Sequence, residues 1–142
     1  MNEATQTSGS CLCGAVTAHV ELSGTRVGAC HCSMCRRWGG GPLLAADIGA
    51  GVRFDGEEHI SVYASSDWAE RGFCKHCGTH LFYRLKDQSH YALPVGLIEG
   101  ELPWHFAEQI FIDEKPVWFE FANDTHNMTG AEVFAKFGAA EE

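Results

Sequence analysis

The sequence predicts a mainly β protein built from short antiparallel strands with little helix. Two observations predict it. Eight short stretches are rich in β-branched or aromatic residues, several with alternating apolar side chains, and are bounded mostly by Gly, Asp, Pro or Ser. The chain also carries 16 glycines against 4 prolines, a balance that suits tight turns rather than linkers. Residues 15–22 (AVTAHVEL) set the pattern, with Val16, Ala18, Val20 and Leu22 on one face and Thr17, His19 and Glu21 on the other. Runs of the same kind follow at 42–48, 59–64, 68–73, 79–85, 89–95, 105–112 and 116–121. Helix signal is confined to two places. Residues 33–38 (SMCRRW) suit a single turn, and Thr129-Gly130-Ala131-Glu132 has capping-box spacing before Val133, Phe134 and Phe137.

The chain has 142 residues, 45% of them hydrophobic and 20% charged. That length suits one domain with its own core, and the composition excludes a disordered, collagen-like or coiled-coil chain. The formal net charge of -9 disfavours nucleic acid and anionic membrane surfaces as partners. No apolar stretch approaches the roughly 20 residues of a membrane helix. The polar start, Met1 to Ser10, lacks the regions of a secretory signal, so a cytoplasmic location is expected.

Seven cysteines fall into three groups: Cys11 and Cys13; Cys30, Cys32 and Cys35; Cys74 and Cys77. Seven is odd, and nothing suggests export, so a disulfide framework is disfavoured. Thiolates one or two residues apart converge on one ion from a single turn of chain, and tetrahedral zinc needs four ligands. The first and last pairs are natural partners for such a site, leaving the middle trio as a second group. A lone C-x-C is readable as two small buried hydrophobes, and a lone C-x-x-C as a redox pair. Three groups in one chain favour metal, and zinc over an iron–sulfur cluster, which usually takes four cysteines. The trio is either an open site or one closed by a distant His or Asp. His31 and His76 lie inside these motifs, and both read as packed or surface residues rather than ligands.

In order and spacing, three motifs resemble those of the glutathione-dependent formaldehyde-activating enzyme family, which includes centromere protein V. They are Cys11-Leu12-Cys13-Gly14-Ala15-Val16, Cys30-His31-Cys32-Ser33-Met34-Cys35-Arg36 and Phe73-Cys74-Lys75-His76-Cys77-Gly78-Thr79. Tyr63 to Ser66 and His105 to Trp118 extend the likeness, which spans about residues 10–121. The resemblance implies a zinc-bearing β-tent fold and two zincs per chain. It places a structural zinc on Cys11, Cys13, Cys74 and Cys77, and a second on Cys30, Cys32 and Cys35. It also implies a carbon–sulfur lyase activity that adds formaldehyde to glutathione or removes it. The expected partners are therefore a small-molecule thiol and an aldehyde. The connections between motifs are compact, and loops carry specificity, so the reaction class transfers further than the aldehyde does. The expected layout is a flexible N-terminus over 1–9, a single zinc-binding β domain over 10–125, and a C-terminal turn or short helix with an acidic tail over 126–142.

Around the open site, Arg36 and Arg37 are candidates for holding the carboxylates of glutathione, balanced against a plain surface role. Arg71 and Arg84 read as solvated surface charges or members of weak surface salt bridges. Gly39-Gly40-Gly41-Pro42 reads as a turn, Trp38 as core rather than pocket wall, and Ser33 and Thr79 as turn caps or as partners of the sulfurs. No general acid or base and no oligomeric state can be assigned from the residues. Two other classes compete with an enzyme: a non-catalytic zinc module that binds a partner, and a redox sensor whose trio releases zinc and forms a disulfide.

Overall fold

The computed structural model describes residues 5–137; residues 1–4 and the acidic end at Glu141 and Glu142 lie outside them. Over the described residues the protein is mainly β, with two short α-helices. Its contacts sort into two compact units, each made from two segments of chain: residues 1–25 with 46–103, and residues 26–45 with 104–142. No helix among the described residues is long and apolar enough to cross a membrane.

In the first unit, β1 (Thr5–Ser10), β2 (Thr17–Leu22) and β5 (Val52–Asp55; β3 and β4 belong to the intervening chain) form an antiparallel sheet in the order β1-β2-β5. The alternation read from the sequence is the burial seen: Val16, Ala18, Val20 and Leu22 are all buried. Most of the stretch expected to be a flexible N-terminus is strand β1, because its polar residues sit on an edge where one neighbour, β2, suffices.

The same unit holds β6 (Ile60–Ala64), β7 (Ala69–Cys74), β8 (His80–Leu85) and β9 (Tyr91–Pro94), paired antiparallel in the order β9-β8-β7-β6. A register shift opposite Gly72 and Phe73 lets both Leu81 and Phe82 turn inward, breaking simple alternation. Phe82 packs with Phe54 and Tyr91 at ring separations of 5.4 and 5.5 Å. Gly72 is required here, since a Cβ on it would stand 2.2 Å from the Phe82 ring.

Arg71 and Arg84 are not solvated charges. Arg71 is buried, with its Nε 3.3 Å from Ser65 Oγ and its guanidinium over the Tyr83 ring. Arg84 pairs with Glu70 at 2.7 Å, donates to the Tyr91 hydroxyl and lies over Phe82. Aromatic faces and a neighbouring carboxylate replace the water these cations give up.

The second unit contains β3 (Arg26–Cys30), α1 (Ser33–Gly39), the start of β4 (Leu43–Gly49), β10 (His105–Ile110), β11 (His126–Met128) and α2 (Gly130–Phe137). β3 and β4 pair antiparallel, but β10 runs parallel to both β3 and β11, departing from the antiparallel expectation. Long connections allow it, since parallel strands need a crossover rather than a hairpin.

The capping box is realised. The Thr129 N–H donates to Glu132 Oε1 at 2.7 Å, and the Glu132 N–H donates to Thr129 Oγ1 at 3.2 Å. Thr129→Ala should therefore lower stability by about 1 kcal/mol, read as an earlier urea midpoint with an unchanged slope.

Residues 116–121 are not a strand. Lys115, whose side chain is only 10% exposed, turns its ammonium onto the carbonyls of Pro116 and Phe119 and lies over the Phe119 ring. That spends the backbone acceptors a strand would offer to a neighbour, and Pro116 has no N–H to give.

Candidate metal centres

The four-cysteine group lies wholly within the first unit. Cys11 and Cys13 follow β1, and their turn closes with Gly14 at φ 83° and its N–H on the Cys11 carbonyl. Cys74 ends β7, Cys77 follows it, and Gly78 at φ 79° returns its N–H to the Cys74 carbonyl. Each glycine takes a left-handed conformation that other residues rarely adopt. Two matching turns thus deliver four sulfurs that all lie within 4.8 Å of one another.

Cys13 Sγ stands 3.7 Å from both Cys11 Sγ and Cys74 Sγ. Four sulfurs held tetrahedrally at zinc–sulfur distances would stand about 3.8 Å apart, so the group fits that ion. All seven cysteines are free of disulfides. Donors already surround the sulfurs. The Val16 N–H reaches Cys11 and the His76 N–H reaches Cys74, each at 3.4 Å, and Thr79 Oγ1 lies 3.1 Å from Cys77 Sγ. The Thr79 hydroxyl, followed by its N–H, lowers the Cys77 thiol to about 5. Cys13 is instead pushed up to about 11: a hydrogen bond from Ala15 pulls it down, but burial and the three other thiols outweigh it. Four thiolates this close need a cation to coexist.

His76 is a surface residue of its turn, with Nε2 2.8 Å from His59 Nδ1. Thr79 touches a sulfur and also accepts the Leu12 N–H, tying the two cysteine turns together.

The trio lies wholly within the second unit. Cys30 ends β3, and Cys32 is the N-cap of α1, its Sγ accepting the Cys35 N–H at 3.3 Å. The sulfurs of Cys30, Cys32 and Cys35 lie within 4.8 Å of one another, and no His, Asp or Glu among the described residues completes the group. Hydrogen bonding with Cys32 and Cys35, then burial, raises the Cys30 thiol far above its ordinary value. Three soft donors this close, with no fourth protein ligand among the described residues, fit a zinc ion that would keep one position for a small molecule.

His31 is not a ligand. It is fully buried against the Phe119 and Phe121 rings, with Nε2 2.8 Å from Gln109 Oε1. Gln109 donates its amide to Thr125 Oγ1, so its carbonyl faces the imidazole and assigns the proton to His31 Nε2. His31 is thus a peg that fixes the backbone between two ligands. Its N–H on the Ile110 carbonyl and its own carbonyl on Arg36 Nε complete the fixing. Gln109, Thr125 and Glu114, whose carboxylate receives the Ser33 N–H at 2.9 Å, carry no sequence signal.

Arg36 and Arg37 sit in the last turn of α1, which closes at Gly40 with φ 87°, so the glycine run is a turn. Both line a groove of about 380 Å³, with Ser33, Gly40, Gly41 and Pro42 on their side and Pro116, Trp118 and Phe119 also in its wall. Trp38 is not among the residues lining it, and neither are the three cysteines. Ser33 and Arg36 do line it, and they directly follow Cys32 and Cys35 in the chain. Among the described residues, neither arginine makes an ion pair, although acids outnumber bases 19 to 10.

Comparison with known proteins bears on both centres. An uncharacterised lyase of Schizosaccharomyces pombe is 35% identical over 126 residues, covering 88% of this chain and 92% of its own. A Halomonas elongata protein, provisionally named a glutathione-dependent formaldehyde-activating enzyme, is 28% identical over 123 residues, covering 79% of this chain and 78% of its own. A crystal structure of a Rhodobacter sphaeroides protein superposes with a TM-score of 0.58 at 31% identity, covering 68% of this chain and 91% of that one. The sequence profile of the glutathione-dependent formaldehyde-activating enzymes matches residues 6–114, a span that takes in all seven cysteines and both sulfur groups. Motif order, fold and profile agree, and the chain belongs to the glutathione-dependent formaldehyde-activating enzyme family.

Proposed function

We propose that this chain is a zinc-dependent carbon–sulfur lyase that adds an aldehyde, formaldehyde in the simplest case, to the thiol of glutathione and catalyses the reverse. In this reading Cys11, Cys13, Cys74 and Cys77 hold a structural zinc, and Cys30, Cys32 and Cys35 hold a second zinc with an open position. One observation carries it: the three convergent thiols of Cys30, Cys32 and Cys35 have no fourth protein ligand among the described residues, and Cys35 shares α1 with two arginines that make no ion pair there. The names of the lyase and formaldehyde-activating relatives support the reaction class.

Zinc bound by the trio would make a thiol entering its open position a thiolate at neutral pH. The chain's own residues supply the rest. Arg36 and Arg37 offer guanidinium groups for the carboxylates of the tripeptide, in a protein whose net charge would otherwise repel it. His31, pinned by Gln109, holds Cys30 and Cys32 at fixed separation. Cys32 Sγ stays on the Cys35 N–H, which orients that sulfur. The reaction balances without oxidant or reductant. A sulfur–carbon bond forms, the carbonyl π pair becomes a hydroxyl, and the thiol proton ends on that oxygen; the reverse returns it to sulfur.

The test combines metal content with turnover. Elemental analysis should give two zincs per chain, and the protein should speed approach to the glutathione–formaldehyde adduct equilibrium above the spontaneous rate. No acceleration at full zinc loading would overturn the enzyme reading. Peroxide-driven zinc release with a reversible disulfide in the trio would favour a redox sensor, and indifference of every property to Cys32→Ser a binding module.

A further inference from the structure

The groove of the second unit, whose lining residues Ser33 and Arg36 directly follow Cys32 and Cys35 in the chain, has two kinds of wall. One is cationic, Arg36 and Arg37 from α1; the other is apolar, Pro116, Trp118 and Phe119 from the loop after β10. The apolar wall is costly to maintain in water. Trp118 is 78% exposed and its neighbour Val117 is 97% exposed. Single exposed apolar residues are ordinary, but adjacent ones at a groove mark a binding surface. The loop is also held in place, because Lys115 gathers its carbonyls from Pro116 and Phe119 and Trp118 packs on Phe119 at 4.8 Å. Glutathione brings carboxylates for the arginines but no apolar group, and formaldehyde brings none either. At about 380 Å³ the groove is in the range that takes one small organic ligand, far more than formaldehyde needs.

We propose that this groove reads an amphiphilic anion: the adduct of a carboxylate-bearing thiol with an apolar, aromatic-sized aldehyde. Its carboxylate lies on Arg36 and Arg37, and its apolar group lies against Trp118. The substrate class is then a larger apolar aldehyde rather than formaldehyde alone, and Trp118 is the residue that selects it. The proposal rests on the thiol–aldehyde reading above for its chemistry, while its binding half stands on the groove alone. Charge complementarity supplies the anion, since arginines with no ion pair among the described residues, in so acidic a protein, favour a carboxylate ligand over a neutral one. Ring stacking supplies the preference for the apolar group.

Binding of unreactive thioethers tests it on the full-length, zinc-loaded protein. Glutathione, S-methylglutathione and S-benzylglutathione are titrated by calorimetry against wild type, Trp118→Ala and Arg37→Gln. Both side chains are exposed, so both variants should fold and melt with wild type. S-benzylglutathione should bind about tenfold tighter than S-methylglutathione. Trp118→Ala should erase that gap and leave glutathione affinity unchanged, and Arg37→Gln should weaken all three by a similar factor. Equal affinity for the two thioethers, or a gap that survives Trp118→Ala, overturns the proposal. The two readings fail separately. Turnover of formaldehyde without the benzyl preference removes this inference and keeps the lyase. The benzyl preference without any turnover removes the lyase and keeps the groove.

Discussion

Cys11→Ser is expected to yield a protein that aggregates on expression or melts far below wild type, with one zinc fewer per chain. Its sulfur belongs to a group drawn from two distant segments, residues 11–13 and 74–77, which the folded chain brings within 4.8 Å. An ion there ties the start of β2 to the turn between β7 and β8. Structural zinc binding contributes about 10–16 kcal/mol to folding in small zinc domains. Total stability of a typical domain is only about 5–15 kcal/mol. Removing one ligand also leaves three crowded thiols, one of which, Cys74, is fully enclosed. The measurement is a thermal melt with elemental analysis on the same sample. A Cys11→Ser chain that melts with wild type while Cys32→Ser unfolds would reverse the assignment of structural and open sites.

Cys32→Ser is expected to do the opposite: keep the fold and lose the activity. The sulfur of Cys32 has two uses, as one of the trio and as the N-cap of α1. Serine is among the best N-caps, so the hydroxyl can take over the Cys35 N–H while being a poor zinc ligand. The melting temperature should stay within a few degrees of wild type, and zinc should fall from two to one. Loss of groups that merely orient a ligand already costs about 10–100-fold in metal affinity or activity. Loss of a ligand itself should lower turnover of the glutathione–formaldehyde adduct by more than about 100-fold. Turnover within a few-fold of wild type would remove the trio from the reaction.

The parts of the molecule legible in the sequence are those set by local chemistry. The three cysteine spacings announce two sulfur groups without any structure. The alternation over 15–22 announces which face of β2 is buried, and Thr129 and Glu132 announce the start of α2. The same local reading misjudges residues 116–121, because the apolar run suits a strand until Lys115 folds under it and claims the carbonyls. It misjudges Arg71 and Arg84 for a related reason: their burial depends on Tyr83, Phe82, Tyr91 and Glu70, which no spacing rule connects to them. The parallel setting of β10 between β3 and β11 is equally silent in the sequence, since β3 and β10 are some eighty positions apart.

The grouping of the cysteines and the mainly β class were readable from the sequence, because cysteine spacing and side-chain period act over a few residues. What surrounds the sulfurs came from long-range packing. Gln109 pins His31, Glu114 receives the N–H of Ser33, and Lys115 sets the loop that carries Trp118 to the groove. Each of these contacts joins residues that are distant in sequence or turns on a loop conformation fixed by its surroundings. Their formation depends on packing free energy summed over a whole unit, and no short stretch of chain contains that sum.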